Sequence, residues 1–171
     1  MSEIIRQNVY ITLILRAMDQ IDRKILVALQ SNCRRPIAEI ADQVGMSLSA
    51  CARRITLLEE NGYIDGYGAR LSGEKLGYSM IFFVEVSLDS QTEAALAKFE
   101  GAAMRRPEVL ECHLMTGNAD YLIKVAAQDT HDYESTYRRV IAALPHVSRI
   151  QSALVMKTVK PWLGYQVSEP H

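Results

Sequence analysis

Residues 77–160 carry one pattern twice, strand then helix then strand, and that repeat constrains the fold more than any other feature of the chain. From Met80 to Leu88 the apolar residues alternate. Met80, Phe82, Val84, Val86 and Leu88 share one side, the period of a strand buried on one face. Gln91 to Arg105 shifts to a helical period, with Ala95, Leu96, Phe99 and Ala103 on one stripe and Pro107 beyond its end. Val109 to Thr116 and Tyr121 to Ala127 read as strands on either side of a Gly117-Asn118-Ala119-Asp120 turn. Thr130 to Leu144 reads as a second helix, striped by Tyr133, Tyr137, Val140, Ile141 and Leu144, and Val147 to Val159 as a long closing strand. The order βαββαβ predicts a ferredoxin-like antiparallel sheet with both helices on one face. Its other face is left open. Phe83, Leu114 and Val155 are the apolar residues expected to be covered there by a second subunit, which predicts a dimer.

The first 71 residues follow a different period. Ile21, Ile25, Leu26 and Leu29 trace one helical face, with Asp19 placed to cap it and Asp22 adding charge to its first turn. Pro36 disfavours helix just before itself and suits the first position of a second helix, whose apolar face is Ile37, Ile40, Ala41 and Val44. Gly45 ends that helix and Ser47 caps a third, where Leu48, Cys51, Ile55 and Leu58 align until Asn61-Gly62. Residues 64–71 read as a short strand or hairpin arm. Two short helices joined by a tight glycine turn, with a hairpin behind, have the spacing of a winged helix-turn-helix. The third helix of such a unit enters the DNA major groove by its N-terminal end.

On that helix Ser47, Ser49, Ala50, Arg53 and Arg54 are the residues expected to face DNA, with Arg34, Arg35 and Arg70 as clamps on phosphate. A solvated charged face with no nucleic acid is the alternative. Bulk charge does not decide between them. Across residues 18–62 the bases Arg23, Lys24, Arg34, Arg35, Arg53 and Arg54 are matched by Asp19, Asp22, Glu39, Asp42, Glu59 and Glu60. The acids gather at helix starts and ends, which can leave the groove face positive. The whole chain carries a net charge of −1, which excludes a polybasic coat for nucleic acid.

Cys33, Cys51 and Cys112 stand far apart, as do the four histidines, so neither a disulfide framework nor a metal site is expected. The chain shows no glycine-rich phosphate loop and no GxSxG elbow, and no catalytic residue or cofactor is assigned. Residues 9–15 form an apolar run too short to span a membrane. Residues 1–17 are therefore read either as a strand pairing with a neighbouring chain or as a disordered leader upstream of Met18. The expected layout is 18–71 for the winged helix-turn-helix, 72–79 for a linker and 80–171 for a ferredoxin-like sensing and oligomerisation domain.

Three stretches carry a family resemblance in the first half: Asp19-Gln-Ile-Asp-Arg-Lys-Ile-Leu26, Val44-Gly-Met-Ser-Leu-Ser-Ala-Cys51 with Arg53-Arg54-Ile55, and Asn61-Gly-Tyr-Ile-Asp-Gly-Tyr67. They resemble the DNA-binding half of the Lrp/AsnC family, the leucine- and asparagine-responsive regulators of bacteria and archaea. Glu111 to Leu122 and Val155 to Lys160 resemble that family's effector-sensing half. The resemblance implies a cytoplasmic, nucleoid-associated regulator that binds double-stranded DNA as a homodimer, assembling to tetramers or octamers. It also implies a small effector, usually an amino acid, held between sensing domains by Gly117, Asn118, Ala119, Asp120 and Tyr121, with Leu154 and Val155 on the closing strand. Asp120 is then the acceptor for an α-ammonium group, against the plainer role of a turn residue satisfying nearby amides. Asn118 stands where the family usually has an acid, and Leu48 and Ala50 where it often has proline. Tetrapyrrole decarboxylases acting on siroheme share the two-part architecture. His113 and His131 are the histidines that reading would use.

Overall fold

The computed structural model describes residues 18–167. The chain divides into two compact units, one of residues 18–69 with 161–167 and the other of Arg70–Lys160. The second unit is thus inserted into the first. Residues 161–167, assigned from sequence to the sensing domain, belong with the helical unit, and residues 72–79 belong with the sheet. The expected strand or leader at residues 1–17 lies outside the described residues. Among the described residues no helix is long and apolar enough to cross a membrane.

The helical unit contains α1 (Gln20–Ser31), α2 (Ile37–Val44) and α3 (Leu48–Glu60). Asp19 and Asp22 close α1 with a reciprocal capping box. Pro36 sits at the N-cap of α2, one residue earlier than expected, because its extended ψ of 137° keeps it outside the helix. Gly45 ends α2 at φ 72°, a left-handed conformation that favours glycine. Ser47 then caps α3 through the Ala50 N–H. Ile25, Ala28, Ile40, Ala41, Cys51, Ile55 and Leu58 form the core where the three helices meet.

Residues 64–71 form no strand, so the helix-turn-helix carries an extended segment where a hairpin wing is expected. Gly66 and Gly68 weaken a strand, and an isolated two-stranded hairpin is marginal in water. One side chain fastens the segment instead: the Tyr67 hydroxyl donates to Glu59 Oε1 at 2.7 Å. Burial and that hydrogen bond push the Tyr67 phenol up to about 12. Near the C-terminus Gln30 Nε2 donates to the Tyr165 carbonyl at 2.8 Å. Gly164 passes so close to α1, at φ 110°, that a Cβ there would stand 2.3 Å from Gln30 Oε1.

The second unit has the expected βαββαβ order: β1 (Met80–Leu88), α4 (Glu93–Ala103), β2 (Val109–Leu114), β3 (Tyr121–Ala127), α5 (Thr130–Thr136) and β4 (Val147–Leu154). The sheet is antiparallel in the order β2-β3-β1-β4. Helix α5 is shorter than its stripe, because the chain passes into a π turn over Tyr137–Ile141. Strand β4 ends at Leu154, which places Val155 just beyond it, although the Val155 N–H still donates to Ile81 at 2.9 Å.

Phe82, Val84, Val86, Ile123, Val125, Phe99 and Ile141 make the core between sheet and helices. Cross-strand partners share a face, so the pairings Phe83↔Lys124, Phe83↔Ala153 and Glu85↔Leu122 define the open face. Phe83 lies on it, as expected, and Val155 extends it opposite Ile81. Leu114 does not. It pairs with the buried Tyr121 and therefore belongs to the helix side, at an exposed edge of the sheet.

Candidate nucleic-acid interface and sensing turn

Helix α3 buries Cys51, Ile55 and Leu58 and turns Ser49 and Arg53 to the opposite side, as 100° per residue requires. Ser47, Leu48, Ser49 and Arg53 are exposed and Ala50 is half-buried. Ser47 Oγ accepts the Ala50 N–H at 3.3 Å and lies 3.3 Å from Ser49 Oγ. Arg53 forms no ion pair among the described residues.

Arg54 differs. It was expected to face DNA, but its Nη1 lies 2.6 Å from Asp19 Oδ2 and 2.7 Å from Asp22 Oδ1. The guanidinium is committed to the N-terminus of α1, and the hydrogen bonds to Asp22 and Asp19 raise its pKa further. Arg34 is exposed. Arg35 Nη1 donates to Gln43 Oε1 at 2.7 Å, tying the α1–α2 connection to α2. Arg70 belongs to the second unit, outside the helix-turn-helix.

In the second unit Gly117, at φ 125°, Asn118 and Ala119 form the turn between β2 and β3. Asp120 ends the turn with its carboxylate in use. Oδ2 accepts the Leu88 N–H at 2.7 Å and Oδ1 accepts Gln91 Nε2 at 2.8 Å. In a protomer it therefore locks the turn to the end of β1, which is the plainer of its two expected roles. Tyr121 is a core residue. It is 1% exposed, packs against Phe99, and donates its hydroxyl to Glu100 Oε1 at 2.8 Å. Burial, then that hydrogen bond, raise its pKa. A cavity of about 340 Å³ opens beside it, with Met104, Leu110, Cys112 and Leu114 among its walls.

The expected effector residues do not all meet within one protomer. Tyr121 pairs with Val86 at one end of β1, and Leu154 pairs with Phe82 four residues away. At about 3.3 Å per residue that separates the two groups by ~13 Å. Sequence reasoning missed Gln91 and Glu100, which hold Asp120 and Tyr121. Both are polar residues on loop or helix, and nothing local marks their distant partners. His113 is exposed on β2, with Nε2 3.5 Å from Glu111, and His131 is exposed in α5.

A serine-capped helix-turn-helix joined to a four-stranded α+β unit is the two-part architecture of helix-turn-helix regulators that carry a ligand-binding domain. Comparison with known proteins gives the same class. Residues 18–59 match the AsnC-type helix-turn-helix domain and residues 81–162 the Lrp/AsnC ligand binding domain. The Bkd operon transcriptional regulator of Pseudomonas aeruginosa is 42% identical over 142 residues, covering 83% of this chain and 93% of that protein. A crystal structure of an AsnC family regulator from Agrobacterium tumefaciens is 33% identical with a TM-score of 0.82, covering 88% of this chain and 97% of that one. A Neisseria meningitidis transcriptional regulator in complex with L-Met is 32% identical with a TM-score of 0.80, covering 84% and 93%. The chain belongs to the Lrp/AsnC family of transcriptional regulators. All three relatives are transcriptional regulators, and they lend the tetrapyrrole reading no support.

Proposed function

We propose that this protein binds duplex DNA sequence-specifically through the outward face of α3 and changes its DNA affinity or assembly when a small effector, an amino acid, binds the second unit. Ser47, Ser49, Ala50 and Arg53 meet base edges or adjoining phosphates, and Arg34, Arg35 and Arg70 hold the backbone. The observation that carries this reading is Arg53. It is exposed beside Ser49 on the side of α3 opposite Cys51, Ile55 and Leu58, with no ion pair among the described residues to occupy it. The setting is the cytoplasm of a bacterium or archaeon, on the nucleoid.

The effector site is shared between copies of the chain. The turn at 117–119 and the segment at Leu154–Val155 stand ~13 Å apart along the sheet, so a ligand touching both groups takes them from different protomers. The same arrangement supplies the switch, because a pocket completed only in the assembly binds the assembled state better. That the related Neisseria regulator is held with L-Met supports an amino acid as the ligand class.

The test is selection of duplexes from a randomised pool by the full-length protein, followed by binding with and without each of the twenty amino acids. The expected result is an enriched sequence bound with strong salt dependence, and one amino acid that shifts either the affinity or the sedimentation of the protein. Recovery of no duplex overturns the DNA-binding reading. Absence of any amino-acid effect overturns the effector reading.

A further inference from the structure

Arg53 and Arg54 are adjacent, and a helix turns 100° between them. One faces outward and the other faces α1. All four carboxylate oxygens at the start of α1 are taken up in one network. Asp19 Oδ1 accepts the Asp22 N–H at 2.8 Å and Asp22 Oδ2 accepts the Asp19 N–H at 3.3 Å, which closes the capping box. The remaining pair, Asp19 Oδ2 and Asp22 Oδ1, both receive Arg54 Nη1. The cap of α1 and the guanidinium of α3 are therefore one structure. The three side chains are 48%, 18% and 30% exposed for Asp19, Asp22 and Arg54, so the network is partly shielded from water. Burial pushes the Asp19 carboxyl up, yet the Asp22 amide and the Arg54 guanidinium outweigh it and hold the group below its ordinary value.

We infer that Arg54 is a positioning residue for DNA recognition: by bridging Asp19 and Asp22 it fixes the rotation of α3 against α1 and so sets where Ser49 and Arg53 point. The inference rests on the DNA-binding reading of α3. The packed contacts of α3 are Cys51, Ile55 and Leu58, side chains with no directional bond. A charged fork on one flank of the helix resists the rotation that such packing tolerates. Bidentate base reading demands fixed geometry from the reader, and a helix free to roll loses discrimination before it loses contact with phosphate.

The experiment uses the full-length protein, a duplex it selects from a randomised pool, and a scrambled duplex of equal length. Arg54→Ala, Arg54→Lys and the double variant Asp19→Asn/Asp22→Asn are compared. The expected result is that Arg54→Ala and the Asp double variant each reduce the ratio of selected to scrambled affinity by about tenfold. Their combination loses no more than either alone, and the slope of affinity against salt stays that of the unaltered protein. Arg54→Lys, which keeps one charge-assisted bond, restores part of the ratio. A purely structural loss lowers the active fraction for both duplexes alike and leaves the ratio unmoved.

The inference is overturned if the ratio is unmoved. It is also overturned if Arg54→Ala weakens both duplexes together and makes the salt slope shallower by about one, while the Asp variants bind as well as or better than before, since Arg54 is then a phosphate contact. If Arg54→Ala fails to fold, Arg54→Gln, which keeps a donor without the charge, carries the same comparison. An unaltered protein that selects no duplex overturns the DNA-binding reading itself, and that outcome is distinct from a ratio that fails to change.

Discussion

Both units of this chain close carboxylates on groups of their own, and they differ in what they leave open. In the helical unit the carboxylates at the start of α1 close on Arg54, and Ser49 and Arg53 lie exposed on the far side of α3. In the sheet unit the carboxylate of Asp120 is spent on the chain's own Leu88 N–H and Gln91 side chain, and several large apolar side chains stand exposed. Phe83, Leu110, Leu114, Leu154 and Met156 are all exposed there, Met156 at 91%. A contiguous exposed apolar patch is the kind of surface another protein covers, whereas arginine and serine side chains are groups that can bond phosphate or base edges. What the helical unit leaves open at Ser49 and Arg53 is polar, and what the sheet unit leaves open at Phe83, Leu154 and Met156 is apolar.

The largest expected effect separates the two cores. Phe99→Ala should cost about 3–5 kcal/mol by opening a cavity under the sheet, because Phe99 is fully buried against Tyr121. Ile25→Ala should cost about 2–5 kcal/mol in the helical unit, where Ile25 is fully buried. Differential scanning calorimetry of both variants tests the division. Each substitution should lower a different transition, and a common shift of all unfolding would show that the units fold as one.

The division also explains which features can be read from sequence. The capping of α1 by Asp19, the αL glycine at Gly45 and the Ser47 cap involve partners within five residues, and all are visible in the chain. The alternating runs of β1 and β3 are visible for the same reason, since a strand's period is local. The partner of Arg54 and the partners of Asp120 were not legible because they are remote. Arg54 reaches Asp19, 35 residues away, and Asp120 reaches Leu88 and Gln91, 32 and 29 away. A pattern shows which face a residue occupies, but not what already occupies the residue. The missing wing has a different cause. Gly66 and Gly68 mark a bend, yet only the Tyr67–Glu59 contact shows that the segment is held without a ladder.

Asp120 offers the next largest effect. Asp120→Ala removes the acceptor for the Leu88 N–H and should cost about 1–3 kcal/mol in the sheet unit. Asp120→Asn keeps one carbonyl acceptor and should cost less. If Asp120 serves the turn alone, Asp120→Asn keeps the thermal shift given by whichever amino acid raises the midpoint of the unaltered protein. Loss of that response in a folded Asp120→Asn protein would show that the carboxylate leaves its backbone partner to meet the ligand. Of similar size, Arg53→Ala should cost about 1–3 kcal/mol in DNA affinity with no change in unfolding temperature. Arg34→Ala should instead weaken selected and scrambled duplexes equally and reduce the salt slope by about one.

The smallest effect is a pH dependence of each unit, carried in the helical unit by Asp19. The Asp19 carboxyl lies below its ordinary value in the folded chain, through the Asp22 amide and Arg54 against the opposing effect of burial. A carboxyl depressed by folding contributes stability that is fully present above its unfolded value, about 3.9 for aspartate, and that is lost as pH falls through the folded value. The helical transition should therefore hold its midpoint from neutral pH down to about pH 5 and lose it progressively below about pH 4. Asp19→Asn should lower the neutral-pH midpoint and flatten that acid slope, because the group that titrates is gone while the amide oxygen still caps α1. In the sheet unit, Glu111 is held below its ordinary value by Lys124 and is the corresponding group. Glu111→Gln should flatten the acid slope of the sheet transition and leave the helical one unchanged. If Asp19→Asn keeps the full acid slope of the helical transition, the Asp19–Arg54 pair contributes nothing in solution, and the contrast between a self-closed helical unit and an open sheet rests on the apolar surface alone.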